Sequence, residues 1–206
     1  MKNLIKLIGI IALVAVIWFS FAACDDDGDN DNGGGGGNDL NGGGGNDDGT
    51  ITVGDWIWVA YDDENNGGNS TITMTESSGT LTFTGEIKDA IGYPHVGFCA
   101  FPNDSILVSL KTAVSIKFDF KGDGKTYKFI MPTSDIEDWS HYETTFTPAS
   151  DDWESITINE SELAQPDWGD PKGFNRNLIE MVKWQTDNGA TGTFSVSIRN
   201  LTLIQP

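Results

Sequence analysis

The sequence predicts an all-β domain over residues 50–206, folded as a single β-sandwich or jelly roll. About ten short segments of this part alternate apolar and polar residues, which is the period-2 pattern of strands with one buried face. Turn-forming residues separate these segments, and Pro166 and Pro171 leave little room for helix. Roughly 155 residues are enough to bury a core without disulfide support.

The first 23 residues have the composition of a secretory signal peptide. Lys2 and Lys6 precede an apolar run over residues 7–23 that ends in small residues. Cys24 follows directly, an arrangement that resembles the lipobox of bacterial lipoproteins, in which the cysteine is diacylated. The alternative is a plain transmembrane anchor, but the run is barely long enough and lacks a basic flank. We therefore predict a lipid-anchored protein of the bacterial cell envelope, with outer or inner membrane and leaflet left open.

Residues 24–49 are predicted to form a disordered tether. Asp, Asn and Gly make up almost all of this segment, so it has too little apolar surface to offset the entropy cost of ordering. A Gly-rich coil of roughly 25 residues spans on the order of 25–30 Å, which would hold the domain away from the membrane.

Within the domain, the predicted strands follow one another at short spacing. The turn residues from Ser77 to Gly79 lie between two alternating runs and predict a β-hairpin. The segments predicted as strands are 55–61, 71–76, 80–86, 96–101, 114–120, 126–131, 142–147, 153–159, 177–186 and 193–204.

The stretch from Ala113 to Met131 carries the clearest strand signal. Apolar and polar residues alternate in its first half and again in its second half. Between the halves, Gly122 and Gly124 can adopt the positive φ that a tight connection needs. We predict a central β-hairpin with one apolar face, and we expect function on its polar face.

The charge balance narrows the choice of partners. The chain carries 12 Lys and Arg against 31 Asp and Glu, a formal net charge of −19. Nucleic acids and anionic headgroups would repel so acidic a protein, so neither is expected as a partner. Contact with the membrane is expected through the lipid anchor only.

The sequence lacks the motifs of common enzyme classes. It contains neither the Gly-x-Ser-x-Gly elbow of hydrolases nor the His-Glu-x-x-His pattern of metalloproteases. His95 and His141 are the only histidines, and they lie far apart without the spacing of a zinc site. Paired carboxylates could hydrolyse a glycoside, but so many acidic residues supply such pairs by chance. We predict no enzymatic activity.

Several motifs, taken in order, resemble a known family. Trp58 and Tyr61-Asp62-Asp63 are followed by Lys121-Gly-Asp-Gly-Lys-Thr-Tyr127, and the last strand reads Phe194-Ser-Val-Ser-Ile198. Together they resemble the domain of the complex I intermediate-associated protein family over nearly all of residues 55–204. That family is similar to carbohydrate-binding modules with a galactose-binding-like jelly roll, including family 11. The resemblance implies this fold and a polysaccharide-binding function.

The resemblance also implies a structural Ca²⁺ site. Related modules bind Ca²⁺ with acidic residues near the first strand, here Asp62 or Asp63, together with the end of the last strand. The family often has an aspartate there, where this chain has Asn200. Asn200 can still offer an oxygen to Ca²⁺, but it brings one charge fewer.

Candidate sugar contacts are of two kinds, since aromatic rings pack on the C–H faces of sugars and planar polar side chains bind their hydroxyls. The aromatic candidates in loop-like contexts are Tyr93, His95, Trp139, His141 and Trp168. The polar candidates, whose parity would let them share one side, are Lys117, Asp119, Lys128, Glu143, Lys183 and Gln185. The aromatic residues could instead close the ends of the sandwich, and a solvated sheet face would explain the polar ones equally well.

These observations predict a lipid-anchored, non-catalytic polysaccharide-binding protein with one jelly-roll domain. The alternative is an adhesion or assembly lipoprotein that binds another protein through the same sheet face. The name of the family refers to an assembly factor, which keeps this alternative open. The identity of the sugar is open as well.

Overall fold

The structure, a computed structural model, describes residues 50–149, 151–187 and 189–206. The predicted signal peptide, the lipidation of Cys24 and the tether lie outside these residues. No helix among the described residues is long and apolar enough to cross a membrane.

The described part of the chain is built almost entirely from strands. They are β1 (Thr50–Val53), β2 (Trp56–Asp62), β3 (Thr71–Ser77), β4 (Thr80–Ile87), β5 (Val96–Pro102), β6 (Ser115–Lys121), β7 (Tyr127–Met131), β8 (Tyr142–Phe146), β9 (Trp153–Asn159), β10 (Val182–Thr186) and β11 (Gly192–Ile204). One α-helix, α1, spans Asp104–Leu110, and 3₁₀ turns span Glu64–Asn66, Glu160–Glu162 and Arg176–Leu178.

The strands form two antiparallel sheets that pack face to face. Sheet A has the strand order β1-β2-β5-β10-β7-β8, and sheet B has the order β3-β4-β11-β6-β9. The last two strands of the chain therefore lie inside the sheets, β10 between β5 and β7 and β11 between β4 and β6. This arrangement confirms the predicted all-β sandwich.

Local signals account for the predicted β3–β4 hairpin and for one element that the sequence analysis missed. At the hairpin turn, Gly79 has a φ of +75°, a conformation that glycine adopts without strain. The missed element is α1, whose N-cap Asn103 accepts a hydrogen bond from the Ile106 backbone N–H at 3.0 Å. An Asn before a short apolar run was the signal that could have found it.

The predicted central hairpin was wrong, because β6 and β7 lie in different sheets. β6 pairs with β11 and β9 in sheet B, whereas β7 pairs with β10 and β8 in sheet A. The connection between them crosses from one sheet to the other. Asp123 closes it by accepting hydrogen bonds from the Lys125 backbone N–H at 3.1 Å and the Tyr127 hydroxyl at 3.0 Å. Alternation fixes which side chains are buried, but it does not say which strand pairs with which.

The core between the sheets is an aromatic cluster. Trp184 of β10 is fully buried, and its ring lies 5.3 Å from Phe98 and 5.3 Å from Phe118, which comes from sheet B. Phe83 of sheet B stacks on Phe98 at 3.8 Å. Rings of this size contribute large buried apolar areas and favour such stacked and edge-to-face contacts. The cluster therefore joins the two sheets through the middle of the domain.

We expect Phe118→Ala to lower the free energy of unfolding by about 3–5 kcal/mol, because it removes a large ring from this packed interior. Lys117→Ala changes the neighbouring, exposed residue on the opposite side of the same strand, and it should cost under about 0.5 kcal/mol. Urea denaturation of both variants measures the difference. Equal losses would contradict the register described here.

Candidate functional site

The outer face of sheet A brings together four of the six polar candidates. Lys183 and Gln185 alternate with buried residues along β10, so they project away from the core. The strand register places Lys183 opposite Ile130, which lies opposite Glu143, and Gln185 opposite Lys128. Paired residues of neighbouring strands point to the same side of a sheet. We call this surface face A, formed by Tyr61, Lys128, Glu143, Lys183 and Gln185.

The other two polar candidates, Lys117 and Asp119, lie on the outer face of sheet B. The prediction that all six share one side was wrong for these two, because β6 belongs to the opposite sheet. Asp119 accepts a hydrogen bond from Asn200 at 2.8 Å, and this bond is the main reason that the pKa of Asp119 is lowered. Arg199 lies beside Asp119 and over the ring of Trp153. These contacts belong to the far side of the sandwich.

Tyr61 is a member of face A that the sequence analysis did not include among its candidates. Its hydroxyl donates to the side-chain oxygen of Gln185, with the oxygens 3.0 Å apart, and the Lys183 ammonium lies 4.2 Å above its ring. Gly97 faces the ring, and a Cβ at this position would lie 2.2 Å from the Tyr61 oxygen. The alternation of side chains along β2 could have identified Tyr61. Trp56 and Trp58 point into the core, and Tyr61, an odd number of residues away from both, points to the outer face.

An ion pair occupies the β7–β8 side of face A. The Lys128 nitrogen lies 2.8 Å from a Glu143 carboxylate oxygen and 4.0 Å from Asp187. These side chains are partly exposed, so the pair holds the two long side chains in position but contributes little to stability. Both groups remain able to bind hydroxyls from the solvent side.

His141 lies at the edge of face A and is mostly buried, with the residue 7% exposed, rather than standing open in a loop. Burial, and to a smaller extent the positive charge of Lys183, lowers the pKa of His141 to about 4. Burial also lowers the pKa of Lys183, to about 8. At neutral pH the pair is therefore a neutral imidazole beside an ammonium group.

Two loops rise next to the β8 edge of face A and carry the candidates Trp139 and Trp168. We call residues 138–141 and 165–172 the rim loops. One Asp138 carboxylate oxygen accepts from the Ser140 backbone N–H at 3.1 Å and from its hydroxyl, and the other accepts from the Asp170 N–H at 2.6 Å. These hydrogen bonds hold the pKa of Asp138 at about 2, well below its ordinary value.

Further contacts join the rim loops to each other and to β8. Gln165 donates to the Ser140 hydroxyl and to the Asp170 carbonyl, both at 2.8 Å. The Glu143 N–H donates to the Ala164 carbonyl at 3.0 Å, which attaches the second loop to the strand. Two segments far apart in sequence are thus fixed side by side.

The rim tryptophans are large and exposed, and one of them has an unusual backbone conformation. Trp139 is 44% exposed and Trp168 is 67% exposed. Trp139 has a φ of +67°, in the left-handed region that costs a bulky residue roughly 1–2 kcal/mol. Strain of this kind persists where the surroundings enforce it and is frequent at binding sites.

Tyr93 and His95 lie at the other end of face A, before β5. Tyr93 is 74% exposed, and its carbonyl contacts the His95 ring at 2.9 Å. The His95 ring lies 6.2 Å from the Tyr61 ring. The aromatic candidates therefore flank face A on both sides, with the polar residues between them.

The structure does not bring the three predicted metal ligands together. Asp63 is fully buried, and its carboxylate already accepts hydrogen bonds from Ser70 and from the His95 N–H. Asn200, in contrast, binds Asp119 on the outer face of sheet B. Among the described residues, no group of three His, Cys, Asp or Glu side chains could hold a metal ion. Calcium binding by this domain stays a prediction.

Residues 52–198 match the family model described as Complex I intermediate-associated protein 30, CIA30. The match spans more than half of the chain. The chain belongs to the CIA30 family. Among curated proteins, no sequence is significantly similar to it.

Solved structures with a similar fold include carbohydrate-binding modules. A family 11 module from Clostridium thermocellum, in complex with a β-1,3-1,4-mixed-linked tetrasaccharide, has 17% identity and a TM-score of 0.52 and covers 76% of this chain and 94% of its own. A solution structure of the module CtCBM11 has 19% identity, a TM-score of 0.48 and coverages of 72% and 88%. A family 29 module has 20% identity, a TM-score of 0.39 and coverages of 66% and 77%. The family 11 match shows that the CIA30 domain here has the jelly-roll fold of such modules.

We expect Asp138→Ala to loosen the rim loops without unfolding the domain, because this carboxylate accepts hydrogen bonds from both loops. Amide hydrogen exchange at Ser140 and Asp170 should become faster, while exchange at Trp184 in the core should be unchanged. Asp167→Ala, which removes a neighbouring exposed carboxylate, is the matched control. Unchanged exchange at both amides would show that Asp138 does not hold the loops together.

Proposed function

We propose that this CIA30-family protein is a lipid-anchored, non-catalytic glycan-binding protein whose binding surface is face A with the rim loops. The observation that carries the proposal is the position of exposed aromatic residues at both ends of a polar sheet face. Sugars present apolar C–H faces and many hydroxyls, so they are bound by such combinations of rings and planar polar groups.

Face A and the aromatic residues around it each have a chemical use in this proposal. Trp139, Trp168 and Tyr93 are exposed enough to pack against sugar rings. Tyr61 is mostly buried and acts as a positioning residue, since its hydroxyl occupies the side-chain oxygen of Gln185. The Gln185 amide nitrogen then remains as a donor to a sugar hydroxyl.

The dimensions of face A favour a polysaccharide over a monosaccharide. Strands of a sheet lie about 4.8 Å apart, so the four steps from β2 to β8 cover roughly 19 Å. This length would accommodate several sugar units, with aromatic contacts near both ends. The family 11 module bound to a tetrasaccharide has a similar fold, which supports the same class of ligand here.

The polar groups of face A suit binding better than hydrolysis. A glycosidase needs one carboxylic acid that is protonated and a second carboxylate across the scissile bond. Glu143 and Asp187 instead lie on either side of the same Lys128 ammonium. Carboxylates paired in this way accept hydrogen bonds from hydroxyls, which supports a non-catalytic role.

We expect Trp139→Ala to weaken polysaccharide binding by roughly five- to thirtyfold, which corresponds to the contact of one ring with a ligand. The midpoint of urea unfolding should be nearly unchanged. Binding is measured by pull-down on insoluble polysaccharides and by glycan array, with the full chain in mild detergent. Trp153→Ala is the matched control, since Trp153 is 37% exposed but lies on sheet B.

A second variant separates binding from backbone strain at the same position. Trp139→Gly removes the ring and also relieves the left-handed backbone, so its stability should equal or exceed that of the wild type. Its loss of affinity should match that of Trp139→Ala. A large drop in unfolding midpoint for both variants would instead show a structural role for Trp139.

The anchoring part of the proposal rests on the sequence before the described domain. Two acyl chains on Cys24 would give stable membrane attachment, whereas a single chain is only marginal. We expect Cys24→Ser to move the protein into the soluble fraction, because an acidic domain has no attraction to anionic lipids. Fractionation in high salt without detergent measures this. A serine variant that stays with the membrane would refute lipid anchoring.

A second candidate function is protein binding in an assembly or adhesion role. It is favoured by membership of a family named for association with an assembly intermediate, and by exposed tryptophans, which are enriched at protein interfaces. Wild-type protein that binds no glycan, but binds a protein partner from the same cell in a Trp139-dependent way, would replace the glycan proposal with this one.

A further inference from the structure

Lys183 is a cation of face A that has no carboxylate partner among the described residues. Several other basic side chains of the domain are paired, for example Lys128 with Glu143, Lys125 with Asp123 and Arg176 with Glu160. The Lys183 ammonium instead lies over the Tyr61 ring, at 4.2 Å. Among the described lysines that lack an ion pair, Lys183 is the one whose ammonium lies over an aromatic ring.

The register explains why no carboxylate of face A neutralises this charge. Glu143 lies two strands away from Lys183, about 10 Å between backbones, and it is already paired with Lys128. The Lys183 side chain is partly buried, and burial lowers its pKa. Removing an ammonium from water without a partner anion is costly, so this position would be stabilised by an incoming anion.

Tyr61 and Gln185 surround Lys183 on face A. The Tyr61 hydroxyl donates to the Gln185 side-chain oxygen at 3.0 Å, and the Tyr61 ring lies under the Lys183 ammonium. One buried ring thus holds a cation and a carboxamide next to each other. His141 is not part of this arrangement, since its Nδ1 atom is enclosed by the protein and offers no donor to a ligand.

We propose that Lys183 binds the carboxylate of a uronic acid in the glycan. This inference rests on the proposed function and specifies its ligand class as an acidic sugar. A carboxylate accepts several hydrogen bonds, and those from an ammonium are charge-assisted and therefore short and strong. Gln185, held by Tyr61 beside Lys183, would bind a hydroxyl of the same sugar.

The overall charge of the protein limits how acidic this glycan can be. A densely charged polymer would be repelled by a chain with a net charge of −19. At physiological salt the Debye length is about 8 Å, so charges farther away are largely screened. The affinity for a single carboxylate at Lys183 would therefore depend mainly on the groups next to Lys183. The structure therefore points to isolated uronic acids within a largely neutral chain.

The test compares matched sugars that differ in one carboxylate. The full-length protein in mild detergent is titrated by calorimetry with xylo-oligosaccharides carrying one glucuronic acid, and with the same oligosaccharides after reduction of that carboxylate to an alcohol. D-glucuronate and D-galacturonate are compared with D-glucose and D-galactose in the same way. We expect the acidic form to bind roughly ten- to hundredfold more tightly, as for a charge-assisted hydrogen bond.

Variants assign this preference to particular residues. Lys183→Met should remove the preference for the acid, and Lys183→Arg should retain part of it because the charge is kept. Lys117→Met makes the same change of charge on sheet B and should have no effect. If Lys183→Met does not fold, Lys183→Gln, which keeps a polar side chain but removes the charge, should remove the preference in the same way.

The possible failures are distinguishable. Equal binding of the acidic and reduced sugars overturns the uronic acid inference and leaves glycan binding intact. Loss of the preference in Lys117→Met also overturns it, since the effect would then be one of general charge. If the wild type binds no sugar here and no polysaccharide on the array, both the inference and the proposed function fail.

Discussion

The packing of Trp184 between the two sheets is the contact on which both the fold and face A depend. Its ring stacks within sheet A against Trp58 at 5.5 Å and meets Phe118 of sheet B edge-to-face, at 5.3 Å and 89°. Since side chains alternate along a strand, fixing Trp184 inward forces Lys183 and Gln185 outward. The inward position of Trp184 therefore determines both the packing of the core and the outward direction of Lys183 and Gln185. A substitution that displaced Trp184 would disturb both.

Local periodicity predicted the strands well, because burial of alternate residues is a property of each strand by itself. Phe118 is buried and Lys117 is exposed, as the pattern indicated. Pairing is different, because it depends on residues far away in sequence. The apolar faces of β6 and β7 both point between the sheets, so the pattern is the same whether they pair or face each other. The crossing through Asp123 could not be recognised from alternation alone.

The sequence indicated which types of residue form the candidate site, but it did not indicate which of them lie close together. Trp139 and Trp168 stood out because bulky rings in polar surroundings are hard to place in a core. Their proximity follows from hydrogen bonds between Asp138 and Asp170, which no local pattern encodes. The pairing of Asn200 with Asp119, rather than with the first acidic residues, depends on the position of β11 next to β6. Such contacts appear only once the topology is known.

The positions of β10 and β11 have a consequence for the order in which the chain can fold. β10 completes sheet A between β5 and β7, and β11 completes sheet B between β4 and β6. Until residues 182–204 are available, neither sheet is continuous and the aromatic core lacks Trp184. Non-local pairing of this kind forms slowly, because the entropy of loop closure is lost before the stabilising contacts are made. A domain that cannot finish folding until its last strands arrive keeps unpaired strand edges and apolar faces exposed for as long as the synthesis of those strands takes.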